Sequence, residues 1–201
     1  MIDMIQNAEL ENKKAVIFDF DDVLYPKRDY LLQVYYLFGH FVEYNTGEAL
    51  ASPLIADLKS TWESAGEEGL FERVAARWPQ IKPFEENFER LHHQAQLPLK
   101  LELFPDKQAL LRKLVADDKV IVILTAGDPL MQLNKIKQVD WQGLERLLKV
   151  YFEAELYFKS MEPLDYLQET LNLRVEEMSY IGQSDPIVRH AQTLGMQVHR
   201  V

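Results

Sequence analysis

The stretch AVIFDFDDVLYP, residues 15–26, decides how this chain reads. Ala15, Val16, Ile17 and Phe18 run without interruption into Asp19, and Asp21, Asp22 and Val23 follow. A continuous apolar run of this length predicts a strand buried on both faces, as in a parallel sheet, rather than a half-exposed strand with alternating pattern. Carboxylates at its C-terminal end fall where parallel sheets gather their chemistry. Side chains alternate along an extended chain, so Asp19 and Asp21, two residues apart, can share one face and converge on one substrate or metal ion. An acidic turn with helix-capping Asp residues has the same composition, and the rest of the chain has to separate the two readings.

Further segments repeat the theme. Apolar runs at 14–20, 119–125 (KVIVILT), 149–158 (KVYFEAELYF), 178–182 (MSYIG) and 196–201 (MQVHRV) predict five strands. Helical patterns lie between the last four: LMQLNKIKQV and GLERLL, then MEPLDYLQETLNL, then PIVRHAQTLG. Another, DKQALLRKLVADD, precedes the second strand with Leu110, Leu111, Leu114 and Val115 on one face. Strands alternating with helices predict an α/β, Rossmann-like parallel sheet with right-handed crossovers and helices on both faces.

The gap between the first two strands breaks that rhythm. About a hundred residues intervene, where a loop and a helix need far fewer. Apolar residues recur there at helical spacing: Tyr30, Leu31, Val34, Phe38, Phe41 and Val42, then Leu54, Ile55, Leu58 and Trp62, then Phe71, Val74, Ala75 and Trp78, then Phe84, Phe88 and Leu91. The pattern predicts an all-helical domain, residues 26–98, inserted into a core made of residues 1–25 and 99–201. Its aromatic residues read as packed core rather than as a ligand box.

The 201 residues suffice to bury about 70% of the unfolded surface without a disulfide or structural metal. With no cysteine, thiol catalysis, cysteinyl metal sites and disulfides are excluded, and a reducing compartment is compatible. MIDMIQNAELENKK has no apolar core of the kind a signal peptide needs, so none is expected. The run VIVIL, residues 120–124, is far too short to span a bilayer. These features predict a soluble, cytoplasmic protein without a membrane partner. A net charge of −10, from 22 basic and 32 acidic residues, opposes nucleic acid and anionic lipid, which need clustered Lys and Arg. A small phosphorylated metabolite is compatible, because a local cation reverses the field inside a cleft.

Polar features follow four successive predicted strands. They are Asp19 with Asp21; Thr125 in VILTAGDP; Lys159 in LYFKSMEP; and Gly182, Gln183, Ser184 and Asp185 in YIGQSDP. Two carboxylates, a hydroxyl, an ammonium and a Gly-Ser turn suit phosphoryl transfer, which needs an oxygen nucleophile, a proton donor and positive charge around phosphate oxygens.

In this order and spacing the chain resembles the haloacid dehalogenase superfamily over essentially its whole length. DFDDVLYP matches that family's first motif and LTAGDPLMQLNKI its second. A distant Lys, an amide or acidic turn and a helical cap after the first motif complete the likeness. The resemblance implies a phosphohydrolase that uses Mg²⁺ and an aspartyl-phosphate intermediate on a small phosphorylated metabolite. Asp19 would be the nucleophile and Asp21 the general acid and base, selecting phosphate over halide because a departing halide needs no proton. Thr125, the Ala126 backbone N–H and Lys159 would hold the phosphate. Asp19 and the Asp21 carbonyl would ligate Mg²⁺, with Gln183 and Asp185 as the remaining ligands. The cap would close over the site and choose the substrate.

The fourth motif departs from the family. Gln183 and Ile187 occupy its acidic positions, which predicts weak metal affinity, or a non-catalytic relative that binds phosphate or a protein. A phosphomutase shares the first three motifs. Other polar residues read more plainly. His92 and His93, adjacent on a helix, point in different directions and belong at the solvent edge. Lys27 and Arg28 read as a solvated basic turn, Asp22 and Asp128 as turn or cap residues, and Glu67 with Glu68 as a solvated loop.

Overall fold

A computed structural model describes residues 9–201. Residues 1–8, the start of the segment read as lacking a signal peptide, lie outside that range. In chain order, β1 (Ala15–Phe18) is followed by α1 (Lys27–Thr46), α2 (Ala51–Ala65), α3 (Leu70–Ala75) and α4 (Glu85–Gln94). Then come α5 (Pro105–Ala116), β2 (Val120–Thr125), α6 (Pro129–Gln138), β3 (Leu148–Phe152) and α7 (Glu153–Phe158). The chain finishes with α8 (Pro163–Leu171), β4 (Met178–Ile181), α9 (Asp185–Leu194) and β5 (Gln197–His199). Among the described residues, no helix is long and apolar enough to cross a membrane.

The strands form one parallel sheet in the order β3-β2-β1-β4-β5. All four residues of β1 are buried, as a central parallel strand requires. Its partners are in matching register: Phe18 stands opposite Ile123 of β2 and Ile181 of β4. The C-terminal ends of the three middle strands therefore reach one edge together. On one face, Ala15, Ile17, Val122, Leu124, Met178 and Tyr180 pack with Leu156 of α7, Leu164 and Leu167 of α8, and Ile187 and Val188 of α9. Each buried Val, Leu, Ile or Met among them contributes about 1.5–3 kcal/mol. The alternation that turns Ala15 and Ile17 toward this face turns Asp19 the same way.

The third strand corrects the sequence reading. It was expected over 149–158, but it ends at Phe152 and α7 begins at once. β3 pairs only with β2, and the last pair is Thr125 with Phe152. Beyond it no partner remains for further extended chain. The following residues, Glu-Ala-Glu-Leu, are good helix formers, and Glu153 and Glu155 sit in the first turn, where the helix dipole favours acids.

The chain divides into two compact units. One comprises the residues up to Pro26, Glu102–Gln132 and Val139–Val201; the other comprises Lys27–Leu101 and Leu133–Gln138. The second unit is helical, and most of it lies in sequence between β1 and β2. It includes the end of α6, which sequence pattern assigned to the core. Asn134 and Gln138 donate to the Ala95 carbonyl at 3.0 and 3.1 Å, and Leu101 N–H donates to the Gln138 carbonyl at 3.0 Å.

The core of the helical unit is aromatic. Phe38 meets Phe88 edge-on at 4.9 Å, and Phe71 lies 5.3 Å from Phe88. His92, expected at the solvent edge, instead packs 4.4 Å from the Phe88 ring with Nδ1 2.9 Å from the Phe88 carbonyl. Burial holds its pKa below the usual histidine value. Lys27 pairs with Glu67, and Arg28 with Glu63 at 3.4 Å.

Gly39 sits where α1 and α2 approach closely. A Cβ there would lie 2.6 Å from Ile55 Cγ1 and 3.2 Å from the Ala51 carbonyl oxygen. Gly39→Leu is expected to lower stability by about 1–3 kcal/mol through overpacking, read as a lower urea midpoint. An unchanged midpoint would contradict this packing.

Candidate active site

Asp19 follows β1 directly and is 8% exposed. Its own N–H donates to the Ile181 carbonyl at 2.9 Å, tying it to the end of β4. Its Oδ1 accepts from Phe20 N–H at 2.9 Å, and Tyr180 Oη stands 3.5 Å from Oδ2. The backbone N–H groups of Gln183 and Ser184 also face the carboxylate. Burial raises its pKa most, the backbone N–H groups oppose that, and the negative charge of Asp21 adds to the rise; the net shift is upward.

Gly182 makes this closeness feasible. A Cβ at that position would lie 2.4 Å from Tyr180 Oη and 2.7 Å from Asp19 Cβ. Only glycine lets β4 deliver the Tyr180 hydroxyl and the loop amides beside Asp19.

Asp21 is held by side chains from two directions. Tyr25 Oη donates to Oδ1 at 2.6 Å, and Gln132 Nε2 donates to Oδ2 at 3.1 Å. The same Gln132 nitrogen reaches the Ala126 carbonyl at 2.6 Å, linking the Asp21 loop to the loop after β2. Thr125, at the end of β2, is 1% exposed. Ala126, next in the chain, is exposed. Asp22 takes a left-handed turn conformation, and Asp128 caps α6 by accepting from Met131 N–H at 2.9 Å.

Lys159 does not follow a strand, as the sequence reading had it. It follows α7, is exposed, and makes no ion pair among the described residues. Gln183 and Asp185 are exposed as well, and Asp185 pairs with Arg200 at 3.1 Å. Ile187 is buried in the apolar layer beneath the sheet edge.

The structure brings forward three residues that sequence reading passed over: Gln132, Tyr180 and Glu153. Glu153 opens α7 and is 6% exposed, and its Oε1 is buried with no hydrogen-bond partner. Burial, with the charge of Asp19 as a second cause, pushes its pKa up to about 7. Burial, with the charges of the same two carboxylates as lesser causes, pushes the pKa of the Tyr180 hydroxyl upward. Ending the third strand at Phe152 would have exposed Glu153 as another carboxylate at a strand terminus. Tyr180 and Gln132 carry no local signal.

Among the described residues, no three His, Cys, Asp or Glu side chains group as a metal site. Mg²⁺ does not require three, since it commonly takes one or two carboxylates and completes its shell with water and substrate oxygens. The buried, unpartnered Glu153 oxygen and the raised pKa values of Glu153 and Asp19 mark a place short of positive charge. A hard divalent cation at Asp19 fits that donor set.

Residues 16–201 match the family described as haloacid dehalogenase-like hydrolase, and the chain belongs to that family. Similar solved structures share its fold at low identity. A haloacid dehalogenase-like hydrolase from Xanthomonas campestris is 18% identical, with 93% of this chain and 80% of that one covered and a TM-score of 0.54. An L-2-haloacid dehalogenase from Xanthobacter autotrophicus, with chloropropionic acid covalently bound, is 14% identical over 94% and 77%, with a TM-score of 0.52. A β-phosphoglucomutase, so designated provisionally, from Thermotoga maritima is 19% identical over 92% and 83%, with a TM-score of 0.55. No curated protein matches.

Glu153 makes stability depend on pH. Its proton affinity is higher in the folded chain (pKa about 7) than at the ordinary value of 4.5. Its contribution is therefore fully present below pH 4.5 and is lost as pH rises toward 7, a loss of about 3 kcal/mol. With chelator present, Glu153→Gln is expected to flatten the decline in urea midpoint between these pH values, leaving the share due to Asp19. An unchanged slope would remove Glu153 as its source.

Proposed function

We propose that this hydrolase cleaves phosphoric monoesters of small metabolites, with Asp19 carrying the phosphoryl group. The observation that supports this most is Asp21, whose two carboxylate oxygens are held by Tyr25 and Gln132 two residues beyond the buried Asp19. A leaving alkoxide needs a proton, and a departing halide does not. A second, firmly oriented carboxyl next to the nucleophile therefore favours phosphate ester over haloacid.

In this reading an Asp19 carboxylate oxygen attacks phosphorus, and the bond from phosphorus to the ester oxygen breaks. The Asp21 carboxyl gives its proton to that oxygen as the alcohol leaves. Asp21, now ionised, takes a proton from water while the water oxygen attacks phosphorus. The bond between Asp19 and phosphorus breaks, inorganic phosphate departs, and both carboxyls regain their starting states. Thr125, the Ala126 backbone and the N–H groups of Gln183 and Ser184 are the donors this edge offers to phosphoryl oxygens. Mg²⁺, held by the Asp19 carboxylate and the Asp21 carbonyl, would supply positive charge against those oxygens. The helical unit is read as the substrate-selecting cap of the family, on the ground of its insertion after β1.

Two observations favour a second reading, a relative that binds phosphate or a protein without turnover. Lys159 is exposed without an ion pair, and Gln183 is uncharged where the family carries an acid. A panel of phosphorylated metabolites with and without Mg²⁺ separates the two. The hydrolase reading predicts phosphate release that Asp19→Asn abolishes, while thermal stability stays level or rises because a buried charge is removed. Full activity in Asp19→Asn would overturn the nucleophile. Phosphate binding without release from any substrate would favour the second reading.

A further inference from the structure

Glu153 has no part in the chemistry described above, yet its placement is specific. Leu156, three residues later on α7, packs in the apolar cluster that contains Ile17 and Tyr180. That contact sets the start of α7 on the face of the sheet toward which Asp19 turns. Glu153 is 6% exposed, its Oε1 is buried with no hydrogen-bond partner, and it comes one residue after Phe152, which stands opposite Thr125 at the end of β2.

A buried carboxylate without a hydrogen-bond partner is costly, and a second buried carboxylate nearby adds repulsion. A cation between the two removes both costs. Of the residues that the family motif would offer, Gln183 is exposed, Asp185 engages Arg200, and Ile187 lies in the apolar layer.

We infer that Glu153 is the second carboxylate ligand of a divalent-cation site centred on Asp19, in the part that sequence pattern gives to Gln183 and Asp185. The inference rests on the reading of Asp19 as the reaction centre. It places a metal ligand at the end of β3, across β2 from Asp19, where no recognised motif of this chain looks for one.

Calorimetric titration of the full chain with Mg²⁺ tests it, with Mn²⁺ followed by electron paramagnetic resonance as an independent readout. Glu153→Gln keeps the side-chain shape, and Glu155→Gln, exposed on the same helix, is the surface control. The wild type and Glu155→Gln are expected to bind with equal affinity. Glu153→Gln is expected to bind roughly a hundredfold more weakly, as loss of one nearby charge implies. A melting temperature of Glu153→Gln in chelator equal to or above that of wild type shows that the variant folds. The inference is overturned if Glu153→Gln binds as wild type does, or if wild type binds neither ion at millimolar concentration. Phosphate release with Mg²⁺ binding indifferent to Glu153 would sink this inference alone. Binding that depends on Glu153 without hydrolysis of any substrate would sink the hydrolase reading alone.

Discussion

β1 hydrogen-bonds on both sides, to β2 and to β4, in registers that set Phe18 opposite Ile123 and Ile181. Parallel pairing of this kind has no tolerance for a one-residue slip, because slipping would turn Ile17 out of the apolar layer and Asp19 away from its neighbours. The lock continues past the strand itself, since Asp19 N–H donates to the Ile181 carbonyl. Asp19, Thr125, Glu153 and Gly182 therefore arrive at one edge from four different stretches of chain. Everything the site can do follows from that alignment.

The alignment creates an electrostatic problem. Asp19 and Glu153 are buried, and Asp21 is close enough to raise the pKa of Asp19. Backbone N–H groups at Phe20, Gln183 and Ser184 partly offset the burial of Asp19, but none is assigned to the free oxygen of Glu153. Stored repulsion of this kind is common at functional sites, where a ligand with complementary charge releases it. Gly182 keeps the geometry tight: any side chain there would push apart Tyr180 and Asp19.

Much of the architecture was legible in the sequence because it rests on long, unambiguous patterns. AVIF, VIVILT and MSYI are apolar runs that end in polar residues, and each became a buried parallel strand. The helical period between residues 30 and 91 likewise became the helices α1 to α4. KVYFEAELYF was misread because an aromatic and apolar run fits a strand or a helix equally well. What decided it was the length of β2, a tertiary fact that the local residues do not carry. Glu153 and the exposed position of Lys159 both follow from that one boundary. Gln132 lies 111 residues from Asp21, and no local pattern announces such a pairing.

In the proposed reaction Asp19 takes a phosphoryl group during turnover. Acid quenching of the protein during steady-state reaction with a phosphorylated substrate, followed by peptide mass spectrometry, reads that event directly. A phosphoryl adduct is expected on the peptide containing Asp19, localised to that residue, with no such adduct in Asp19→Asn. Turnover with the Asp19 peptide unmodified, or with the adduct on another residue, would contradict it.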